Sequence, residues 1–164
     1  MNDGRVWRYG DDVNTDVIFP GKYTYQPLTP EEMATHAMED LDSSFVSEVK
    51  QGDVIVAGAN FGCGSSREQA ATCLKAAGVV AVIAKSFSRI FFRNAINNGL
   101  PVIELKEGID GIKKNDTVAI DFENGIVTHE GNEYHFPALP VEVLAILQDG
   151  GLIPHVRKEL GMLK

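Results

Sequence analysis

The chain has 164 residues, 44% of them hydrophobic and 23% charged, enough for one domain with a full core. Its formal net charge of -8 argues against a general nucleic-acid binder. No run approaches the roughly 18 to 20 apolar residues of a membrane span, and the polar, acidic residues 1–4 do not begin a secretory leader, so a cytoplasmic protein is expected.

Residues 5–9 alternate in polarity and predict a strand. Residues 10–22 are rich in Asp, Asn, Gly and Pro and read as a loop. Asp12, Asn14, Thr15 and Asp16 are turn formers in it, and Val17, Ile18 and Phe19 return toward the core. Residues 23–27 form a second loop segment. Thr29-Pro30-Glu31-Glu32 has the cap, the first-position proline and the acidic first turn of a helix, predicted to run to about residue 40. His36 falls inside it and receives no role.

Residues 53–58 are a continuous apolar run and predict a buried strand; residues 70–77 predict a helix. Residues 79–84 predict a second buried strand. Residues 86–98 predict a helix with Ser86 or Ser88 as cap and Gly99 just past its end. Residues 101–105 predict a third buried strand. Strand, helix, strand, helix, strand implies a largely parallel sheet with right-handed crossovers.

The pattern changes after Lys106. Residues 117–122 and 126–129 alternate around the turn signal Asn124-Gly125, which predicts a hairpin. A second turn at residues 130–132 leads to residues 133–136, giving a three-stranded antiparallel meander. Residues 140–148 predict a last helix, ended by Gly150-Gly151, and residues 152–164 a partly helical tail. No repeat, low-complexity tract or linker is visible. The expected fold class is α/β, one domain over residues 1–164 combining a parallel sheet and flanking helices with an antiparallel β portion.

The stretch that carries chemistry is residues 59–70, between the first buried strand and its helix. Gly62 and Gly64 let the backbone turn sharply and approach a ligand. A helix start offers N–H groups and the positive end of a dipole to an anion, with Ser65, Ser66 and Arg67 beside it. The plainer reading is a capping box, Ser65-x-x-Glu68, which needs no ligand. The stretch lacks the third glycine of a dinucleotide loop, and the chain has neither a P-loop nor a nucleophile elbow. Cys63 and Cys73 are the only cysteines; a cytoplasmic disulfide is not expected, and two thiolates cannot hold a four-iron cluster, which needs about three or four.

Three separated motifs occur in order. They are Asp12-Val13-Asn14-Thr15-Asp16, Asn60-Phe61-Gly62-Cys63-Gly64-Ser65-Ser66-Arg67-Glu68, and Ser86-Phe87-Ser88-Arg89-Ile90-Phe91-Phe92-Arg93-Asn94 followed by Asn98-Gly99-Leu100-Pro101. Together they resemble the small subunits of the isopropylmalate isomerase and homoaconitase family, part of the aconitase superfamily. The resemblance implies a swivelling β/β/α domain and a hydro-lyase that moves a hydroxyl between adjacent carbons of a 2-substituted malate, in leucine biosynthesis for the isopropylmalate branch. It implies a [4Fe–4S] cluster on a separate large subunit, which is also the expected partner, with no cofactor or metal on this chain. Neither nucleic acid nor membrane is expected as a partner.

The resemblance implies Ser65 as the base acting on carbon, in an alkoxide form that a helix start and Arg67 would favour. It implies Arg67 and Ser66 on a substrate carboxylate, for which the planar guanidinium suits two parallel bonds. Thr15 and Asp16 match loop residues that contact the site, although a turn-forming role explains both types equally well. Cys63 matches a non-ligand and reads as a small packed residue. Arg89 and Arg93 are expected to interact with acidic neighbours. The resemblance implies that the segment reading the substituent corresponds to Tyr23-Thr24-Tyr25-Gln26, which has no arginine for an extra carboxylate; Tyr25 would pack on a branched alkyl group. Lys22 is the neighbour that could pair with a carboxylate instead. A homoaconitase, a methylmalate or dimethylmalate dehydratase, and a non-catalytic assembly module are the alternatives.

Overall fold

The computed structural model describes residues 2–162; Met1 of the polar start and Leu163 and Lys164 of the predicted tail lie outside the described residues. Strand β1 (Asn2–Arg8) comes first. It is followed by α1 (Thr15–Ile18), a 3-10 turn at Gly21–Tyr23, α2 (Pro30–Ala34) and α3 (Phe45–Glu48). Then β2 (Val54–Ala57), α4 (Glu68–Ala76), β3 (Ala81–Ala84), α5 (Arg89–Asn97) and β4 (Val102–Glu104) alternate. After a 3-10 turn at Ile109–Gly111 come β5 (Thr117–Asp121), β6 (Ile126–His129) and β7 (Asn132–His135). Helices α6 (Val141–Gln148) and α7 (Leu152–Glu159) follow.

All seven strands belong to one sheet, in the order β4-β3-β2-β1-β5-β6-β7. The pairs among β1 to β4 are parallel, and the pairs β1/β5, β5/β6 and β6/β7 are antiparallel. This is the expected α/β class, with both portions on one sheet. Strand β1 joins them by dividing its length: residues 2–5 pair with 117–120 of β5, and residues 6–8 pair with 54–56 of β2.

Alternating side chains feed two cores. Trp7, Ile55, Ala57, Val82 and Ala84 pack with Ala70, Leu74, Phe91 and Ala95 of the helices. Val6, Val54, Val56, Ala81 and Ile83 pack with Val118, Ile120 and Val127 of the antiparallel half. Every residue of β2 and β3 is therefore buried, which explains their unbroken apolar runs. Each fully buried Val, Leu, Ile or Phe contributes about 1.5–3 kcal/mol, so these paired faces supply much of the driving force for folding. The small residues Ala70, Ala71 and Cys73 line the buried face of α4 and let it sit close to the sheet.

Two local expectations change. The helix predicted to residue 40 ends at Ala34. Met38 takes a left-handed conformation (φ 60°) and donates its N–H to the Ile18 carbonyl, so a tertiary bond replaces continued helix. The loop over residues 10–22 contains α1, capped by the Asn14 side chain accepting from the Asp16 N–H at 2.8 Å. Of the two expected caps for α5, Ser88 fills the position, accepting from the Phe91 N–H. Among the described residues, no helix is long and apolar enough to cross a membrane.

Candidate active site

The three motifs lie far apart in sequence and meet where β1, β2 and β3 end. In open parallel sheets these carboxyl ends are where ligands bind. The first two motifs run side by side: Asn14 bridges Cys63 in parallel, Gly62 N–H donates to the Val13 carbonyl at 2.8 Å, and Thr15 N–H to the Cys63 carbonyl at 2.9 Å. The second and third do the same, with Phe61 bridging Phe87. Phe61 N–H donates to Ser86 O and Ser88 N–H to Phe61 O, each at 3.0 Å. The Ser88 hydroxyl donates to the Gly62 carbonyl at 2.7 Å, and the Ser86 hydroxyl accepts from the Asn60 N–H at 2.8 Å.

Gly62 and Gly64 are required by this packing. Both lie at positive φ, 77° and 90°. A β-carbon on Gly62 would overlap the Phe91 ring, and one on Gly64 would meet the Asn14 amide at 2.7 Å.

Thr15 is 2% exposed, and its hydroxyl donates to the Ser65 carbonyl at 2.8 Å. Arg67 is half-buried. Its guanidinium pairs with Asp16 Oδ1 at 2.5 Å and donates to the Phe19 carbonyl at 3.3 Å. Ser65 and Ser66 are exposed, and neither hydroxyl is hydrogen-bonded among the described residues. The first loop thus holds the backbone of the second while leaving both hydroxyls facing outward.

The capping box does not form. Helix α4 begins at Glu68, its cap position is Arg67, and no side chain caps it. Its N-terminus lies three residues beyond Ser65, and the Arg67 charge is engaged by Asp16. Among the described residues no hydrogen bond joins Arg67 to the Ser65 hydroxyl. Burial, then the Asp12 carboxylate, hold the half-buried Cys63 thiol above its ordinary range, so it is protonated at neutral pH. Cys73 is fully buried and shifted the same way. Among the described residues, Arg89 and Arg93 make no ion pair, contrary to expectation. Tyr25 stands 97% exposed at the tip of its loop. A groove of about 520 Å³ lies between Glu68 and Thr72 on one side and Leu152 and Ile153 on the other, and neither serine lines it.

Residues 12–108 match the aconitase C-terminal domain. The small subunit of 3-isopropylmalate dehydratase from Heliobacterium modesticaldum is 51% identical over 156 residues, covering 94% of this chain and 93% of that protein. The small subunit 1 from Thermotoga maritima is 50% identical over 160 residues, 96% of each chain. The methanogen homoaconitase small subunit from Methanothermobacter thermautotrophicus is 52% identical over 159 residues, 96% of this chain and 91% of that protein. The crystal structure of 3-isopropylmalate dehydratase from Methanocaldococcus jannaschii superposes with a TM-score of 0.90 at 44% identity, covering 98% and 96% of the two chains.

The chain belongs to the aconitase C-terminal domain family. Its fold matches that of the Methanocaldococcus jannaschii dehydratase structure, and the sequence motifs that resemble the family run side by side at the carboxyl ends of β1, β2 and β3. Sequence reasoning missed the braces of these loops. Asp11 accepts from the Ala59 N–H at 2.7 Å, and Asp12 from the Asn60 amide at 2.8 Å. Their signal was present, since adjacent Asp residues in a turn are acceptors for passing backbone, but their partners are nearly fifty residues away.

Proposed function

We propose that the chain is the small subunit of a 3-isopropylmalate dehydratase, a hydro-lyase of leucine biosynthesis active together with a large subunit in the cytoplasm. The observation that carries this reading is the outward-facing Ser65–Ser66 pair beside Arg67, held by the Thr15–Asp16 loop. Residues 1–164 act as one swivelling domain that brings this surface to the partner. Ser65 takes the proton from the carbon beside a substrate carboxylate. Arg67 and Ser66 hold that carboxylate, Thr15 and Asp16 orient the two, and Tyr25 meets the alkyl substituent. Enclosure by the partner excludes water and strengthens each of these interactions.

The residues of this chain do not fit an iron–sulfur cluster. Cys63 and Cys73 are the only thiols, Cys73 is fully buried, and no group of three His, Cys, Asp or Glu side chains converges among the described residues. We assign the cluster to the large subunit.

A homoaconitase is the second reading, favoured by the 52% identical methanogen relative. Against it, Lys22 is paired with Glu39 at 2.9 Å, and Tyr23-Thr24-Tyr25-Gln26 offers no other cation for a third carboxylate. The test mixes the chain with its cognate large subunit, without oxygen, and assays isopropylmalate, homoaconitate, methylmalate and dimethylmalate separately. Preference for isopropylmalate is expected, and Ser65→Ala should lower turnover by about 10³-fold with folding and association intact. Unchanged turnover in that variant would remove Ser65 as the base; preference for homoaconitate would establish the second reading.

A further inference from the structure

Beside the candidate site, four side chains from two segments form a cluster to which the proposed chemistry gives no role. Tyr23 and His36 stack face to face, with ring centroids 3.8 Å apart and planes at 21°. His36 Nδ1 lies 2.9 Å from Glu39 Oε2, and Lys22 Nζ lies 2.9 Å from Glu39 Oε1. The Lys22 ammonium also stands 4.9 Å from the Tyr23 ring centroid. Glu39 therefore receives both a loop residue, Lys22, and the histidine that covers the next loop residue, Tyr23.

The loop so held touches the site directly. Its first residue, Gly21, lies against the Arg67 guanidinium, where a β-carbon would be 3.1 Å from Nη1. Gln69, in the first turn of α4, donates to the Thr24 carbonyl at 3.3 Å. The loop's own bonds are local: Tyr23 N–H to Pro20 O, Thr24 N–H to Gly21 O and Gln26 N–H to Tyr23 O. The Thr24 hydroxyl oxygen is buried with no hydrogen-bond partner. A turn with short-range bonds and one unsatisfied hydroxyl has little stability of its own, so its position depends on what packs against it.

We propose that His36 and Glu39 are positioning residues that clamp the Lys22–Tyr23 turn against the candidate site and thereby set selectivity among 2-substituted malates. The proposal rests on the dehydratase reading above. His36 provides a flat face for Tyr23, and Glu39 withdraws the Lys22 cation from the substrate. Together they favour an apolar substituent over a carboxylate at the loop. An aromatic stack adds modestly to the packing that fixes a loop, and a fixed loop transmits that to substrate affinity and not to the chemical step.

The test compares wild type, His36→Ala, His36→Phe and Glu39→Gln, each with the large subunit, on isopropylmalate, methylmalate and homoaconitate. His36→Ala should raise KM for isopropylmalate about fivefold with kcat nearly constant, and narrow its preference over methylmalate. His36→Phe, which keeps the stack, should restore most of that preference. Glu39→Gln should release Lys22 and raise relative activity on homoaconitate. A uniform fall in kcat across substrates with KM unchanged, or no change in any ratio, would overturn the proposal. Hydrogen exchange at the Tyr23, Thr24 and Gln26 amides of the full chain gives a readout independent of activity. Faster exchange in His36→Ala than in wild type and His36→Phe is expected, and equal exchange in all three would remove the clamp. Absence of wild-type turnover on every substrate would overturn the dehydratase reading and the selectivity claim with it, while the exchange result still decides the clamp.

Discussion

The Thr15 hydroxyl donates to the Ser65 carbonyl across 50 positions of sequence, tying the first loop to the residue assigned as base. Thr15→Val keeps the shape and removes the donor. Stability should fall by about 1–2 kcal/mol, a drop in Tm of roughly 3–6 °C. Turnover with the large subunit should fall further than that loss of folded protein accounts for, because the Ser65 backbone is no longer fixed. Thr15→Ser should recover both. Thermal unfolding beside steady-state kinetics checks it, and a valine variant with wild-type kcat would show that the tie is structural only.

Arg67 is held by Asp16 and the Phe19 carbonyl. A lysine there keeps the charge and loses the planar fork. Arg67→Lys should therefore bind the large subunit normally and lose on the order of 10²-fold in kcat/KM for every substituted malate, the equivalent of one charge-assisted bond. Kinetics on the purified complex decide this; a loss confined to one substrate would instead make Arg67 a specificity residue.

Gly62 combines a φ of 77° with the Phe91 ring in the place of a β-carbon. Gly62→Ala adds left-handed strain of about 1–2 kcal/mol to overpacking of about 1–3 kcal/mol. Denaturant unfolding should show a loss near 3 kcal/mol. Gly10, whose β-carbon would meet nothing, is the control, and its alanine variant should stay within about 0.5 kcal/mol of wild type.

Asp53 is 4% exposed and accepts from the Trp7 indole at 2.8 Å, the Lys50 N–H at 3.0 Å and Arg5 Nη2 at 2.7 Å. Burial alone would raise its pKa; the hydrogen bonds from Arg5, Trp7 and Lys50 outweigh burial and hold the carboxyl below its ordinary value of 3.8. A depressed folded-state pKa means stability that is fully present above the unfolded value and lost as pH falls through the folded one. Asp53→Asn should therefore be less stable than wild type at pH 7, and the gap should close as pH drops below about 4. Urea midpoints at both pH values measure it, and a gap that stays constant would dismiss ionisation as the cause.

The parallel half of the fold was legible because burial on both faces turns β2 and β3 into unbroken apolar runs. The hairpin between β5 and β6 was legible from Asn124-Gly125. The motif residues were legible by type and spacing. What local pattern did not reveal was set by distant partners. Ser65-x-x-Glu68 has the composition of a capping box, but the Ser65 carbonyl is held by Thr15 and the Arg67 side chain by Asp16, so the helix starts at Glu68. Residues 35–40 have helical composition, but the Met38 N–H goes to Ile18 and the helix stops. His36 looked unremarkable in sequence because Tyr23, its stacking partner, lies in a segment with no regular pattern.

The divided pairing of β1 also ties together segments far apart in sequence. Strand β1 takes partners at residues 54–56 and 117–120, so both its edges are filled only once both of those segments are present. Contacts this distant are slow to form, and each half of the sheet ends in an open edge until β1 arrives. A nascent chain arrested before residue 117 leaves residues 2–5 unpaired, which is where chaperone binding or misassembly would begin.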